Sequence, residues 1–223
     1  MLNAQFYTTV AQLADLPADS EAEVAFAGRS NAGKSSAINA IARHRRLAFV
    51  SKIPGRTQHL NFFQIAPRRF LVDLPGYGYA RAPLGQQRAW QSLIGGYLAR
   101  RPALRGLILI MDIRHPFTEL DRQLLNWFAP TGKPVHILLS KADKLSRNQA
   151  INVLRTARAL LDEIRLGGSA QLFSGPKQQG LEEAEAVLRA WLGVPRGGVA
   201  DDGTAETAKK NPAEGDTAGQ TVP

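Results

Sequence analysis

Residues 28–35 read Gly28, Arg29, Ser30, Asn31, Ala32, Gly33, Lys34 and Ser35, the pattern G-x-x-x-x-G-K-S. No other feature of the chain restricts its fold as much. Such a loop works only between a strand and a helix, because successive backbone N–H groups must converge on one point and the helix N-terminus must add its positive dipole there. The flanks meet that demand. Residues 23–27 (Glu, Val, Ala, Phe, Ala) predict a short buried strand, and residues 36–42 predict a helix. Lys34 is then placed to reach the β- and γ-phosphates of a nucleotide, and the Ser35 hydroxyl to ligate Mg²⁺. The alternative, a glycine-rich turn with a surface lysine, has to be weighed against the rest of the chain.

The rest alternates strand and helix. Short continuous apolar runs at 61–66, 69–72, 107–111, 135–139 and 170–173 suit fully buried strands. Helical periodicity covers 84–100, 119–128, 147–165 and 181–192. Thr118 and Ser146 stand where N-caps are needed. In the last helix Leu181, Val187, Leu188, Trp191 and Leu192 share one face. Pro67, Arg68 and Arg69 make a turn between the second and third strands, which predicts an antiparallel pair at one edge. The fold class is therefore α/β: a three-layer, doubly wound, mostly parallel sheet with one antiparallel edge pair. Ligands in such sheets bind beyond the C-terminal strand ends.

At 223 residues the chain supplies one sizeable core and no second full domain. Residues 1–22 are expected to form an N-terminal extension packed on a nucleotide-binding domain of residues 23–195. Residues 196–223, rich in Gly, Ala, Asp, Thr, Glu and Lys, are expected to be a disordered tail. No apolar run approaches the ~20 residues of a membrane span, and residues 1–15 lack a secretory leader's basic start and apolar block. The chain has no cysteine, which excludes disulfides and thiolate metal sites and fits a reducing compartment. A cytoplasmic monomer without membrane insertion is the expectation.

Net charge is +9, from 28 basic and 19 acidic side chains. The last 28 residues carry three basic and five acidic groups, so residues 1–195 hold 25 against 14, or +11. A body that basic attracts polyanions. Of the basic residues 20 are arginine, whose planar fork suits phosphate, although a compositional bias explains the ratio equally well. Candidate RNA contacts are the runs Arg43, His44, Arg45 and Arg46; Arg68 and Arg69; and Arg100 and Arg101.

Three further strand ends carry chemistry. Asp73, Leu74, Pro75 and Gly76 form D-x-x-G: the aspartate can hold Mg²⁺ through water, and the Gly76 N–H can approach a γ-phosphate with no side chain in the way. Ser140, Lys141, Ala142 and Asp143 follow the run 135–139. The Asp143 carboxylate can accept from the ring N–H and exocyclic amine of guanine, a donor pair that adenine lacks, and leaving that carboxylate unpaired is costly. Lys141 can lie along the base plane. Phe173, Ser174 and Gly175, after the last strand, are expected to bring backbone N–H groups to the guanine carbonyl. Thr57, in the loop before residue 61, can bind Mg²⁺ when a switch segment closes on the γ-phosphate.

In this order and spacing the motifs resemble those of a Ras-like GTPase of the translation-factor superclass. The stretch Asp73 to Ala80 (DLPGYGYA), with Ser36 after the phosphate loop, Pro54, Gly55, Arg56, Thr57 and Gln58, and Asp112, Ile113, Arg114 and His115, narrows the resemblance to the EngB-type bacterial ribosome-biogenesis GTPases. It covers roughly residues 5–193. The resemblance implies binding of GTP and GDP with Mg²⁺, a role in assembly of the large (50S) ribosomal subunit or its precursor through rRNA, and a link to normal cell division and septation. It adds Ser36, Gly55, Arg56, Leu74, Pro75 and Ala142 to the nucleotide contacts, and marks Lys34, Thr57 and Gly76 as the residues acting on the reacting phosphate. Relatives with the Asn31 asparagine hold K⁺ beside the phosphates; in this chain Asn31 either does so or only bridges loop backbone. Two positions depart from the family pattern: Ser140 replaces a threonine or asparagine, and Gly175 replaces alanine or serine, at some cost in loop order.

Many GTPases orient the attacking water with a glutamine just after the D-x-x-G glycine. Here that residue is Tyr77, so unassisted hydrolysis is expected to be slow. His59 has no assured role. Two other classes compete with this reading. A small-molecule kinase would have no use for Asp143 reading guanine, and a division scaffold would hold nucleotide without significant turnover.

Overall fold

The computed structural model describes residues 2–44, 46–48, 59–77, 84–164 and 167–195, with residues 84–91 described for backbone alone. Arg45, Gly55, Arg56, Thr57 and the expected tail at 196–223 lie outside the described residues.

The chain runs β1 (Gln5–Val10), β2 (Ala22–Gly28), α1 (Lys34–Ile41), β3 (Leu60–Ala66), β4 (Arg69–Asp73), α2 (Leu84–Arg100), β5 (Leu104–Asp112), α3 (Glu119–Phe128), β6 (Val135–Ser140), α4 (Arg147–Glu163), β7 (Gly168–Leu172) and α5 (Leu181–Leu192). The strands make one sheet in the order β1-β3-β4-β2-β5-β6-β7. β2 pairs in parallel with β4 and β5, and β6 in parallel with β5 and β7. The expected antiparallel pair is β3–β4, turning through Arg68 at φ 59°.

A strand that sequence reading did not find extends that pair: β1 lies antiparallel to β3, with a bulge between Phe6 and Thr8. Its residues are exposed except Thr8 and Val10, so it lacks the buried run that marks the inner strands. Neighbouring rings hold it, Phe6 at 6.2 Å from Phe63 and Tyr7 at 4.9 Å from Phe70. These aromatic contacts exist only once the sheet has formed.

Every residue of β2 is buried, and its alternation splits the core. Ala25 and Ala27 face a layer with Phe62, Tyr97, Leu125, Phe128 and Leu161 from β3, α2, α3 and α4. Val24 and Phe26 face another with Ile38, Ile108, Leu138, Phe173 and Leu188, under α1 and α5. That arrangement is the three-layer architecture. Glu23, fully buried in the same strand, accepts from Tyr97 Oη at 2.8 Å and from Arg101 Nε at 2.9 Å, so its charge is paired. At α4 the side chain of Gln149 accepts from Ser146 N at 3.0 Å while Ser146 Oγ accepts from Gln149 N, a capping box.

In two of the three candidate RNA runs, arginines also bond to the protein's own groups. Arg101 donates to Glu23 and to Pro17 O at 2.6 Å. Arg68 donates to Asp19 O at 2.6 Å and pairs with Glu21; Arg69 bonds Leu192 O at 2.8 Å. With Arg105 on Glu21 O, arginines fasten the segment between β1 and β2. Arg101 and Arg69 are thereby committed to the fold, whereas Arg68 keeps an exposed side chain. Arg43, His44, Arg46, Arg68 and Arg100 are on the surface.

Candidate functional site

β2, β4, β5, β6 and β7 all end on one edge of the sheet, and the loops that leave them build the site. The phosphate loop leaves β2 at Gly28, where an added Cβ would stand 2.8 Å from Ile110 O of β5; only glycine lets the strands approach so closely there. It turns through Asn31 at φ 64° and Gly33 at φ 98°, and α1 starts at Lys34. The Ser30 and Ala32 amides are used on Tyr77 O (2.9 Å) and Arg29 O (3.0 Å). The amides of Lys34 and Ser35, at the start of α1, point out of its N-terminus. Beside the loop lies a cleft of about 1060 Å³, lined among others by Arg29, Ser30, Lys34, Asp73, Gly76 and Lys141.

Asp73 ends β4 next to Phe26, and the pairing continues past it: Leu74 N donates to Phe26 O at 3.0 Å and Tyr77 N to Gly28 O at 3.4 Å. Leu74 and Pro75 are buried, so beyond the Asp73 carboxylate this element offers the cleft mainly backbone at Gly76. Lys34 Nζ donates directly to Asp73 Oδ1, both side chains about nine-tenths buried. The cation suited to phosphate and the anion suited to Mg²⁺ thus neutralise each other.

At the end of β6 the Ser140 hydroxyl lies 2.5 Å from Ala32 O and 3.0 Å from Met111 O, joining the S-K-A-D loop to the phosphate loop. Lys141, at φ 58°, donates to Asn31 O at 2.7 Å and to Asp112 Oδ2 at 2.8 Å. Asp112 also accepts from Arg114 Nε at 3.0 Å and its terminal nitrogen at 2.7 Å. Those Arg114 bonds foremost, against burial and with help from Lys141, hold the Asp112 carboxyl well below the usual carboxylate range. Sequence reading quoted Asp112 and Arg114 only as part of a resemblance. Their work of fixing the Lys141 ammonium has no local pattern; it appears when β5 and β6 lie side by side.

Asp143 Oδ1 accepts from Ser174 Oγ at 2.6 Å, and Oδ2 is 3.3 Å from Lys144 Nζ. The Ser174 bond is the largest influence on this carboxyl and, with burial opposing and Lys144 assisting, holds it below its ordinary range. Ala142 N donates to Phe173 O at 3.1 Å, tying the two loops together. The expectation for the Phe173, Ser174 and Gly175 amides needs correction. Phe173 N donates to Leu139 O at 2.9 Å, continuing the β6–β7 pairing, and Ser174 N donates to Gln179 O at 3.1 Å in a small bridge. Phe173 is itself a core side chain. Among the described residues only the Gly175 amide of the three has no acceptor.

The donors near Lys34, the Ser35 hydroxyl and the Asp73 carboxylate, are hard oxygens, which suits Mg²⁺; such ions keep several waters and take phosphate oxygens as further ligands. Among the described residues no group of three or more His, Asp or Glu forms a cage for a metal, and none is needed for an ion bound in this way. The Asn31 side chain is exposed at the mouth of the cleft, next to the carbonyl that accepts from Lys141.

A phosphate cradle, a D-x-x-G element and a carboxylate-bearing loop on one strand edge define a P-loop GTPase. In agreement, residues 23–141 match the family model described as 50S ribosome-binding GTPase. The chain is 56% identical over 199 residues to "Probable GTP-binding protein EngB" of Methylobacillus flagellatus, covering 89% of this chain and 96% of that one. It is 58% identical over 196 residues to the protein of the same name from Dechloromonas aromatica, covering 86% and 88%. In fold it is similar to a crystal structure of a probable EngB GTP-binding protein, with a TM-score of 0.60, 18% identity, and 76% and 100% of the two chains covered. The chain belongs to the EngB family of GTP-binding proteins, and it is a GTPase. Among the described residues no helix is long and apolar enough to cross a membrane.

Proposed function

We propose that this protein is a cytoplasmic, GTP-controlled factor in assembly of the large ribosomal subunit, needed for normal division and septation, with slow Mg²⁺-dependent GTP hydrolysis. One observation carries the nucleotide reading: Asp143, aimed by Ser174, stands on a loop that Ser140 and Lys141 bond directly to the phosphate loop. A base selector and a phosphate cradle fixed to each other are what holding a guanine nucleotide at both ends requires. The partner reading rests on the +11 charge of residues 1–195 and on the family's description as ribosome-binding.

In this reading the Lys34 ammonium leaves Asp73 for the β- and γ-phosphates. Ser35, Asp73 and Thr57 are the groups that would hold Mg²⁺, which when bound supplies positive charge against the phosphates. Gly76 N–H addresses the γ-phosphate and Gly175 N–H the guanine carbonyl. Gly55 and Arg56 accompany Thr57. Tyr77 offers no group to orient water, since its hydroxyl is committed elsewhere, so hydrolysis depends on positioning and charge alone and is slow. Asn31 is the proposed K⁺ ligand; GTPase rates equal in KCl and NaCl would remove that ion from the scheme.

The experiment is co-sedimentation with 50S particles in GDP and in a non-hydrolysable GTP analogue. Retention that differs between the two nucleotides supports a nucleotide-controlled factor. Equal retention, or none, overturns it. GTP held without turnover even on 50S particles would favour the scaffold instead.

A further inference from the structure

Tyr77 follows Gly76 directly, and its main chain is woven into the phosphate loop: its carbonyl accepts from Ser30 N at 2.9 Å and its N–H donates to Gly28 O at 3.4 Å, opposite Arg29 in a parallel bridge. Its ring is turned inward, 6% exposed, and its hydroxyl donates to Asp121 Oδ1 at 2.6 Å. Asp121 sits on the first turn of α3 and is 1% exposed. Its other oxygen accepts from Thr118 N at 2.9 Å and Thr118 Oγ1 at 2.7 Å.

Capping a helix does not require burying a carboxylate. A capping-box carboxylate at the third helical position would serve as well on a solvent-facing turn. Burial costs free energy that three donors must offset, and one of the three is the phenol of the residue beside Gly76. Burial first and the Asp121 charge second push that phenol far above its ordinary range, so it is a constant donor rather than an acid or base. The opposite wall of the same layer has a comparable bond, Tyr97 to Glu23, but Tyr97 is far in sequence from any cleft residue. Of these two tyrosine–carboxylate bonds, the one at Tyr77 fixes backbone that lines the site.

We propose that Tyr77 is a positioning residue whose hydroxyl, anchored on Asp121 of α3, holds the Gly76 amide against the phosphate loop and so sets how far the protein prefers GTP to GDP. The inference rests on the reading of Gly76 as the γ-phosphate donor.

The test is Tyr77→Phe, which keeps the ring and removes only the donor. Affinities for GDP and for a non-hydrolysable GTP analogue are measured on wild type, Tyr77→Phe and Thr118→Ala. Analogue affinity should fall about tenfold in Tyr77→Phe, the scale of a hydrogen bond to a charged acceptor, with GDP affinity within about twofold of wild type. Thr118→Ala weakens the same helix cap without touching the phenol and should leave the ratio unchanged while lowering Tm. Asp121→Asn keeps an acceptor and gives up the charge, so it should shift the ratio in the same direction by less. Parallel loss of both affinities in Tyr77→Phe, no change in either, or an equal ratio shift in Thr118→Ala overturns the proposal. Failure of wild type to bind GDP would instead overturn the nucleotide reading of the site.

Discussion

The two ends of the cleft are prepared to different degrees. At the base end each polar group already holds a partner that a bound guanine would leave in place: Ser174 on Asp143, Lys141 on Asn31 O and Asp112, Ser140 on Ala32 O. At the phosphate end the two key charges, Lys34 and Asp73, are bonded to each other, so a ligand on either competes with that pair. In the proposed reading, the base end is built for fixed recognition, and exchange of partners falls on the Lys34–Asp73 pair at the phosphate end. Preorganised groups lose little on binding, whereas a traded ion pair makes affinity sensitive to what replaces it.

The largest effect should come from breaking the prepared end. Asp143→Asn exchanges an acceptor for a donor opposite the guanine N–H and amine, and GTP and GDP affinity should both fall by about 10³-fold or more while xanthine nucleotides gain. Competition binding with GTP, XTP and ATP checks it; unchanged guanine preference would mean that Asp143 does not face the base. The phosphate end should respond asymmetrically. Lys34→Ala leaves the Asp73 carboxylate unpaired beside incoming phosphates and should weaken GDP about 100-fold. Asp73→Ala frees Lys34 and should tighten GDP up to tenfold in EDTA, the scale of a charged hydrogen bond, and abolish the gain from added Mg²⁺. Equal losses in the two variants would show that the pair is not the element exchanged.

The same contrast explains what could be read from the chain. The phosphate end was legible residue by residue because a phosphate cradle is local: Gly28 to Ser35 are contiguous, and the strand and helix that frame them follow from simple periodicity. Buried inner strands such as 107–111 were legible for a similar reason, being apolar on both faces. β1 was not, since Gln5–Val10 is mostly exposed and is defined by Phe63 and Phe70 across the sheet. The supports of the base end were also hidden. Asp112 to Lys141 spans 29 positions and Ser140 to Ala32 spans 108, contacts that strand order creates and spacing cannot reveal. The amides of Phe173 and Ser174 were misjudged because a loop sequence does not show which N–H groups the sheet will claim.

A smaller change separates orientation from recognition at the base end. Ser174→Ala removes the hydroxyl that aims Asp143 and leaves the carboxylate itself. GTP and GDP affinity should fall together by roughly tenfold, since one hydrogen bond to a charged acceptor is lost. Nucleotide titration by calorimetry reads the two constants. A loss confined to GTP would contradict the division of labour, because no part of the base end touches the γ-phosphate.

The smallest effect tests whether the base end is rigid through the strands that carry it. His136 of β6 is buried on the seam with β7, with Nδ1 2.7 Å from Ser169 Oγ and Nε2 2.8 Å from Gln171 Oε1; Gln171 Nε2 in turn donates to Gly180 O at 2.6 Å. Burial, only partly offset by the Gln171 bond, lowers its pKa below 6.5. The folded protein therefore resists a proton that the unfolded chain accepts near pH 6.5. Stability from this group is complete above that pH and is lost as pH falls below it, toward the lower folded-state value. Tm followed from pH 7.5 to 5 should decline below about 6.5, and His136→Gln should flatten that part of the curve. Hydrogen exchange at mildly acid pH should quicken across residues 168–172 before residues 24–28, because the proton enters between β6 and β7 and leaves the β2 side untouched. Uniform quickening of both strands would mean that the two ends of the cleft share one rigidity.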